Sequence, residues 1–242
     1  MVSGSQTEQP RLSVLMPVFN EALTVERALS TTLAADVGCP FELVVVDDGS
    51  TDGTRELLGS LGESLPIRVL HHQRNEGKGA AVRTALSAAR GEFAAIFDAD
   101  LEYDPADLGR LLKPLLDGRS NVACGVRAFD GYTSHSFLFV MGNKFVTLAT
   151  NVLFNVYIHD LMTCHKVVRT ELFRELPLRE AGFAIEAEIV ARLLQSGERI
   201  FEIPVDYRAR ASDEGKKLTW VDGLRVLRTL VRCRLDGARG RT

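Results

Sequence analysis

The segment Glu42–Val46 (ELVVV) is an unbroken, largely apolar and β-branched run that stops abruptly at Asp47-Asp48-Gly49-Ser50. A strand that is apolar on both faces needs cover on both, and a parallel sheet layered between helices provides it. The neighbouring segments keep to that plan. Leu12–Phe19 (LSVLMPVF), Ile67–Leu70 and Phe93–Phe97 (FAAIF) read as strands, while Glu21–Ala34, Thr54–Leu61 and Lys78–Ala89 carry helical spacing. Asp104-Pro105 opens another helix, with proline in the first turn where its missing N–H costs little, and Asn121–Gly125 follows as a strand. The alternation predicts an α/β fold with a mostly parallel central sheet flanked by helices.

Beyond Gly125 the pattern changes. The long stretch Ser136–Ile158 has Lys144 as its only formal charge. Two readings stand for it: a buried core helix, or a helix whose apolar face meets a lipid chain or bilayer surface. Cys164–Val168 and Ile200–Val205 read as strands and Ile185–Gln195 as a helix. Trp220–Arg234 reads as a helix with Val221, Leu224, Leu227 and Val231 on one face.

At 242 residues, 45% hydrophobic and 25% charged, the chain has the profile of a globular protein and not of a disordered one. Its net charge of −3 gives no support for nucleic acid as a partner. The charge is uneven, however. From Tyr207 onward ten Lys and Arg residues face four Asp and Glu, a basic end suited to phosphates or an anionic lipid surface. Cys39, Cys124, Cys164 and Cys233 are widely spaced, the pattern of reduced thiols in a cytoplasmic protein. The opening MVSGSQTEQPR has no apolar core of a signal peptide, and no uninterrupted apolar run reaches the roughly 18 residues of a spanning helix. The expectation is a cytoplasmic protein, soluble or peripheral at the cytoplasmic face of a membrane.

Three segments carry polar chemistry. Asp98-Ala99-Asp100 follows the FAAIF strand directly, and strand ends in α/β sheets are where ligands bind. Two carboxylates at this spacing, with Glu102 beyond them, can offer hard oxygens to Mg²⁺ or Mn²⁺, or can simply form a turn. Asp47-Asp48-Gly49-Ser50-Thr51-Asp52-Gly53 ends the ELVVV strand and admits the same two readings, ligand binding or turn chemistry. Asn75-Glu76-Gly77-Lys78-Gly79 lacks the P-loop spacing, and PVFNE (residues 17–21) stands where a dinucleotide-binding glycine motif would be.

In this order, PVFNE, VVVDDGSTDGT, NEGKGAAVRTAL and FDADLEYDP resemble the family 2 glycosyltransferases of GT-A fold. Gly125-Val126-Arg127, the Asp160–Lys166 segment, FAIEAE (residues 183–188), EIPVDY (residues 202–207) and EGKKLTWVDG (residues 214–223) are similar to its polyprenyl-phosphate, dolichyl-phosphate mannose synthase-like branch. The resemblance implies a leader over residues 1–10, one catalytic domain over 11–235 with a nucleotide-binding half (11–125) and an acceptor half (126–235), and a tail over 236–242. It implies an enzyme that moves a sugar, with inversion, from a GDP- or UDP-linked donor to a polyprenyl phosphate. Pro17, Phe19, Glu21, Val46 and Asp48 would hold the nucleotide, and Lys78 is either a candidate for the diphosphate or a surface lysine at a helix start. Asp98, Ala99 and Asp100 would meet diphosphate and metal, with Glu102 as a further ligand. Arg127 would reach phosphate oxygens. Arg210 and Lys217 would close over the donor, with Arg208 and Lys216 as their alternates. Asp160 is either a base or orienting group near the acceptor, or a structural hydrogen-bond partner. One of Glu186 and Glu188 would reach the site while the other is a solvated or salt-bridged helix residue. His165 stands where relatives have an aromatic residue and receives no role. A soluble acceptor, or donor binding without turnover, are the alternatives.

Overall fold

The ELVVV run forms strand β2 (Phe41–Asp47), buried along its apolar length between β1 (Leu12–Val18) and β3 (Ile67–His71) and parallel to both. The computed structural model describes residues 9–127, 137–208 and 220–239. Strands β4 (Phe93–Ile96), β5 (Val122–Arg127), β6 (Lys166–Arg169) and β7 (Phe201–Val205) complete a seven-stranded sheet in the order β3-β2-β1-β4-β6-β5-β7. Strand β6 runs antiparallel to both β4 and β5, and every other pairing is parallel. The mostly parallel α/β sheet read from the sequence is therefore present. The chain division drawn after Gly125 falls inside β5, so the two halves share one sheet.

Side-chain alternation feeds both faces of the sheet. Leu12, Val14 and Met16 of β1 and Leu43 and Val45 of β2 enter one core, with Leu108, Leu111 and Leu112 of α4 (Asp107–Leu116) and Leu29 of α1 (Val25–Ala34). Leu15, Val44 and Val46 enter the opposite core, against α3 (Lys78–Ala88), α6 (Thr170–Glu175) and α7 (Ile185–Gln195). Helix α2 (Thr54–Ser64) adds Leu58 to the first core. A third cluster joins α7 to α5 (Phe137–Phe154) and α8 (Trp220–Arg239) through Val146, Val190, Val226 and Leu230.

Four local expectations change. Helix α1 begins at Val25 instead of Glu21, because Glu21 takes the Thr24 hydroxyl on its carboxylate (2.8 Å) and stays in the preceding turn. Strand β6 begins at Lys166, and the short helix α6 after it carries too few residues to show a helical period. Residues 236–239, read as tail, continue α8, where Asp236 pairs with Arg192 of α7 at 2.8 Å. On α8 the packed face is Val226, Thr229, Leu230 and Cys233; of Val221, Leu224, Leu227 and Val231, read as its apolar face, only Leu227 packs against that cluster and the other three are exposed.

Candidate active site

Strands β1, β2, β4 and β5 point their C-terminal ends the same way, and the loops leaving them surround a cleft of about 410 Å³. That size is typical of small-molecule sites. The β1 and β2 loops are knitted together first. Asn20 accepts the Thr51 N–H on its side-chain oxygen (2.9 Å) and donates its own N–H to Ser50 (3.0 Å). The Glu21 N–H reaches Thr54 Oγ1 at 2.9 Å. This cross-bracing accounts structurally for the PVFNE and DDGST motifs and leaves Pro17, Phe19 and Glu21 lining the cleft.

Asp48 lines the cleft too, but its carboxylate is already engaged. It accepts from His72 Nδ1 (2.7 Å) and from the backbone N–H groups of Glu76 (2.9 Å) and Gly77 (2.7 Å), which fixes the loop that presents Lys78. Gly77 has φ +95°, and a Cβ there would lie 2.5 Å from the Ala181 carbonyl oxygen. The NEGKG glycines thus allow the 180–183 loop to close on the start of α3 and bring Phe183 to the cleft. Val46 is the exception among the expected nucleotide residues. Its side chain is fully buried in the core between β2 and α3 and does not line the cleft.

Asp98, Ala99, Asp100 and Glu102 all line the cleft where β4 ends. Leu101 adopts φ +61°, a left-handed conformation that is uncommon for such a side chain and marks a tightly determined turn. The Asp100 carboxylate accepts the Glu102 N–H at 3.1 Å. Lys78 Nζ enters from α3 and meets Asp98 Oδ2 at 2.7 Å, Glu186 Oε1 at 2.8 Å and Cys164 Sγ at 3.0 Å. Burial pulls its pKa down, but Asp98, Cys164 and Glu186 outweigh burial and hold it well above the ordinary lysine value. Glu186 also pairs with the fully buried Lys166 at 2.5 Å. Despite desolvation, Lys166 and Lys78 keep the Glu186 carboxyl down at about 2. Glu186 is the member of the FAIEAE pair that reaches the cleft; Glu188 is buried beneath it and accepts from Arg232 (2.9 Å) and from the Arg179 and Glu180 N–H groups.

Arg127, at the end of β5, lines the cleft, and Asp160 does not. Asp160 grips Arg127 through Nε (2.7 Å) and Nη2 (2.8 Å), and also accepts from Asn143 Nδ2 (2.9 Å). Desolvation would raise its pKa, but the Arg127 hydrogen bonds and charge leave it below the usual carboxylate value. Asp160 is thus buried behind the cleft, hydrogen-bonded to Arg127 and Asn143, and does not itself face the space where an acceptor would lie. His165 is buried between Phe97 and Tyr103, with ring centroids 5.1 and 4.8 Å away, and neither nitrogen has a hydrogen-bond partner. Arg208 lines a neighbouring pocket behind the Glu102 turn instead of the main cleft. Arg210, Lys216 and Lys217 lie outside the described residues. Sequence reasoning missed the aromatic lining supplied by Tyr103, Phe139, Phe183 and Tyr207; each lies in or beside a motif, but no spacing rule singles out an aromatic residue that will face a ligand.

The glycosyl transferase family 2 model matches residues 13–177, and the chain belongs to that family. Among characterised relatives, it is 27% identical over 212 residues to the dolichol-phosphate mannosyltransferase of Pyrococcus furiosus, covering 85% of this chain and 59% of that protein. It is 31% identical over 207 residues to the dodecaprenyl-phosphate galacturonate synthase of Rhizobium johnstonii, covering 82% of this chain and 59% of that protein. It is 27% identical over 248 residues to the polyprenol monophosphomannose synthase of Mycolicibacterium smegmatis, covering 95% and 91%. The chain thus spans less than two thirds of the first two relatives, and their names bear out the branch to which the motifs pointed. Its fold matches glucosyl-3-phosphoglycerate synthase from Mycobacterium tuberculosis, solved with Mn²⁺, UDP and glucosyl-3-phosphoglycerate, at a TM-score of 0.71 and 20% identity over 95% of this chain and 80% of that one.

Proposed function

We propose that the protein transfers a sugar from a GDP- or UDP-linked donor to a polyprenyl phosphate, with Mg²⁺ or Mn²⁺ and with inversion at the anomeric carbon. The observation that carries the acceptor assignment is helix α5, which is built inside out. Its buried face is Asn143, Val146, Thr147 and Thr150, whereas Leu138 (80% exposed), Phe145 (58%), Leu148 (60%) and Val152 (74%) form a stripe facing outward. A contiguous exposed apolar surface of this kind marks an interaction site. By length and composition α5 would suit a membrane span, contrary to the expectation from uninterrupted runs. Its polar inner face is nevertheless bonded to the domain, through Asn143 to Asp160 and Thr147 to the Leu161 N–H. A helix lying along a bilayer surface fits both facts. The exposed Val221, Leu224, Val231 and Leu235 of α8, interleaved with the exposed Arg225, Arg228 and Arg234, extend that surface with positive charge. The polyprenyl-phosphate names of the relatives support the same acceptor.

For the donor, the carboxylates of Asp98 and Asp100 fit a hard divalent cation, since both face the cleft with oxygen ligands. Among the described residues no three acidic, His or Cys side chains gather into a complete cation site, so donor diphosphate oxygens would complete the coordination, with Glu102 nearby as a further ligand. The cation would supply charge neutralisation for the departing diphosphate. Pro17, Phe19, Glu21 and Asp48 form the nucleotide side of the cleft, and Lys78 and Arg127 place positive charge where negative charge develops on the leaving group. The backbone of Val46 is the part of that residue left to contact the nucleotide, given its buried side chain. Arg210 and Lys217 are assigned to donor phosphates by resemblance. A phosphate acceptor is already ionised and requires no base, in keeping with an Asp160 committed to Arg127. The test is incorporation of labelled sugar from GDP-mannose, UDP-glucose or UDP-N-acetylhexosamine into organic-extractable polyprenyl phosphate, with and without Mn²⁺. Incorporation that needs both the lipid phosphate and the cation supports the proposal; metal-independent donor breakdown with no lipid product rejects it.

A further inference from the structure

Lys78 already occupies one oxygen of the Asp98 carboxylate, so a cation entering there meets a resident positive charge. Asp98, Lys78, Glu186 and Lys166 form a chain of alternating charge, with links of 2.7, 2.8 and 2.5 Å. The Lys78, Glu186 and Lys166 side chains are almost completely buried, and that of Asp98 is only 14% exposed. The four charges cancel. Resting on the donor–cation reading above, we infer that Lys78 is a resident counter-ion of Asp98 that leaves it when cation and nucleotide diphosphate enter together, and that this exchange makes each ligand's binding depend on the other.

The physics is that of a poorly solvated site, where an uncompensated charge is expensive. A divalent cation arriving alone must displace an ammonium from its carboxylate and leaves the four-residue chain with excess positive charge. A diphosphate arriving alone meets Asp98, Asp100 and Glu102 lining the same cleft. When both arrive their charges offset, Asp98 passes to the cation, and Lys78 keeps its second anchor on Glu186 at 2.8 Å, within the same cleft as the incoming phosphates. Glu186 acts in this exchange as the residue that holds Lys78 in place. By linkage, the factor by which nucleotide strengthens cation binding equals the factor by which cation strengthens nucleotide binding.

The measurement is Mn²⁺ binding followed by the loss of the free-ion EPR signal, with and without UDP or GDP, on the full chain. Wild type should bind Mn²⁺ at least tenfold tighter with nucleotide than without it. Lys78→Met should bind Mn²⁺ at least tenfold tighter than wild type in the absence of nucleotide, and most of the nucleotide enhancement should vanish. Thermal melting confirms folding, and if the Met variant melts early the same titration is read on Lys78→Gln, which can still donate to Asp98. Unchanged or weaker nucleotide-free Mn²⁺ binding in the folded variant overturns the inference. Absence of Mn²⁺ binding to wild type under all conditions, nucleotide included, overturns instead the cation reading on which it rests.

Discussion

Asn143 and Asp160 are joined by a 2.9 Å hydrogen bond from Asn143 Nδ2 to Asp160 Oδ1. The bond ties the helix with the outward apolar stripe to the carboxylate that holds Arg127 at the cleft. Phe139, on the same helix, lines the cleft and lies 5.8 Å from the Arg127 guanidinium. The proposed lipid-facing surface and donor cleft therefore share one helix, and Arg127 sits at the junction.

Asp160→Asn should lower stability by about 3–5 kcal/mol, because it removes the negative charge of a buried, hydrogen-bonded Asp160–Arg127 pair. Denaturant unfolding reads the loss. The pH dependence has a definite sign. Since Arg127 holds the folded carboxyl below its ordinary value, this contribution is present above the unfolded-state pKa and is lost as pH falls through the folded one. The variant should lack that acid-side loss.

His165→Phe should stabilise the protein by about 1–3 kcal/mol at neutral pH, the range for relieving an unsatisfied buried polar group. Burial, with Lys166 next to it, pushes the imidazole from 6.5 down to about 3. Between those values the unfolded chain binds a proton that the folded protein does not, so wild-type stability falls as pH drops. The advantage of the Phe variant should widen from pH 7 to pH 4, as read by unfolding at each pH. A constant gap would place solvent or a hydrogen-bond partner at the ring.

The sheet was legible because its strands are short apolar runs ending in Asp- or Gly-rich turns, and ELVVV and FAAIF leave little choice of architecture. The carboxylates of the cleft were legible for the same reason: they follow those strand ends. The face of α8 was not. Val221, Leu224 and Val231 have the spacing of a core stripe, but Val226, Leu230 and Cys233 have it as well, and only the position of α5 and α7 decides which set packs inward. Asp160 was undecidable from sequence because its role depends on Arg127 and Asn143, a strand end and a helix that the chain brings together only in the fold.

Leu148→Glu combined with Val152→Glu should leave stability within about 0.5 kcal/mol, since both side chains are exposed. The pair should abolish binding to vesicles containing anionic lipid. Co-sedimentation of the wild type should itself weaken with salt, because exposed Arg225, Arg228 and Arg234 are screened over about 8–10 Å. Retained vesicle binding by the double variant would remove α5 from the contact surface.

Asp100→Asn should reduce turnover by at least a hundredfold and weaken cation-dependent donor binding while leaving the melting temperature nearly unchanged. The residue sits on a partly exposed turn, where its carboxylate accepts the neighbouring Glu102 N–H. Activity assays over a Mn²⁺ series, paired with thermal melts, separate a ligand from a structural turn; wild-type rates at limiting Mn²⁺ would take Asp100 out of the site.

The most direct measurement is a transfer assay comparing polyprenyl phosphates of increasing length with soluble alcohol acceptors, under one donor and one cation. Each buried CH₂ contributes about 0.8 kcal/mol, more over a few prenyl units than an exposed ion pair at about 0–1 kcal/mol. Apparent acceptor affinity should therefore rise with chain length until the apolar surface is filled, with the lipid phosphates strongly preferred. Equal or faster transfer to a soluble acceptor, with no dependence on prenyl length, would contradict the assignment of α5 and α8 as the acceptor's lipid-facing surface.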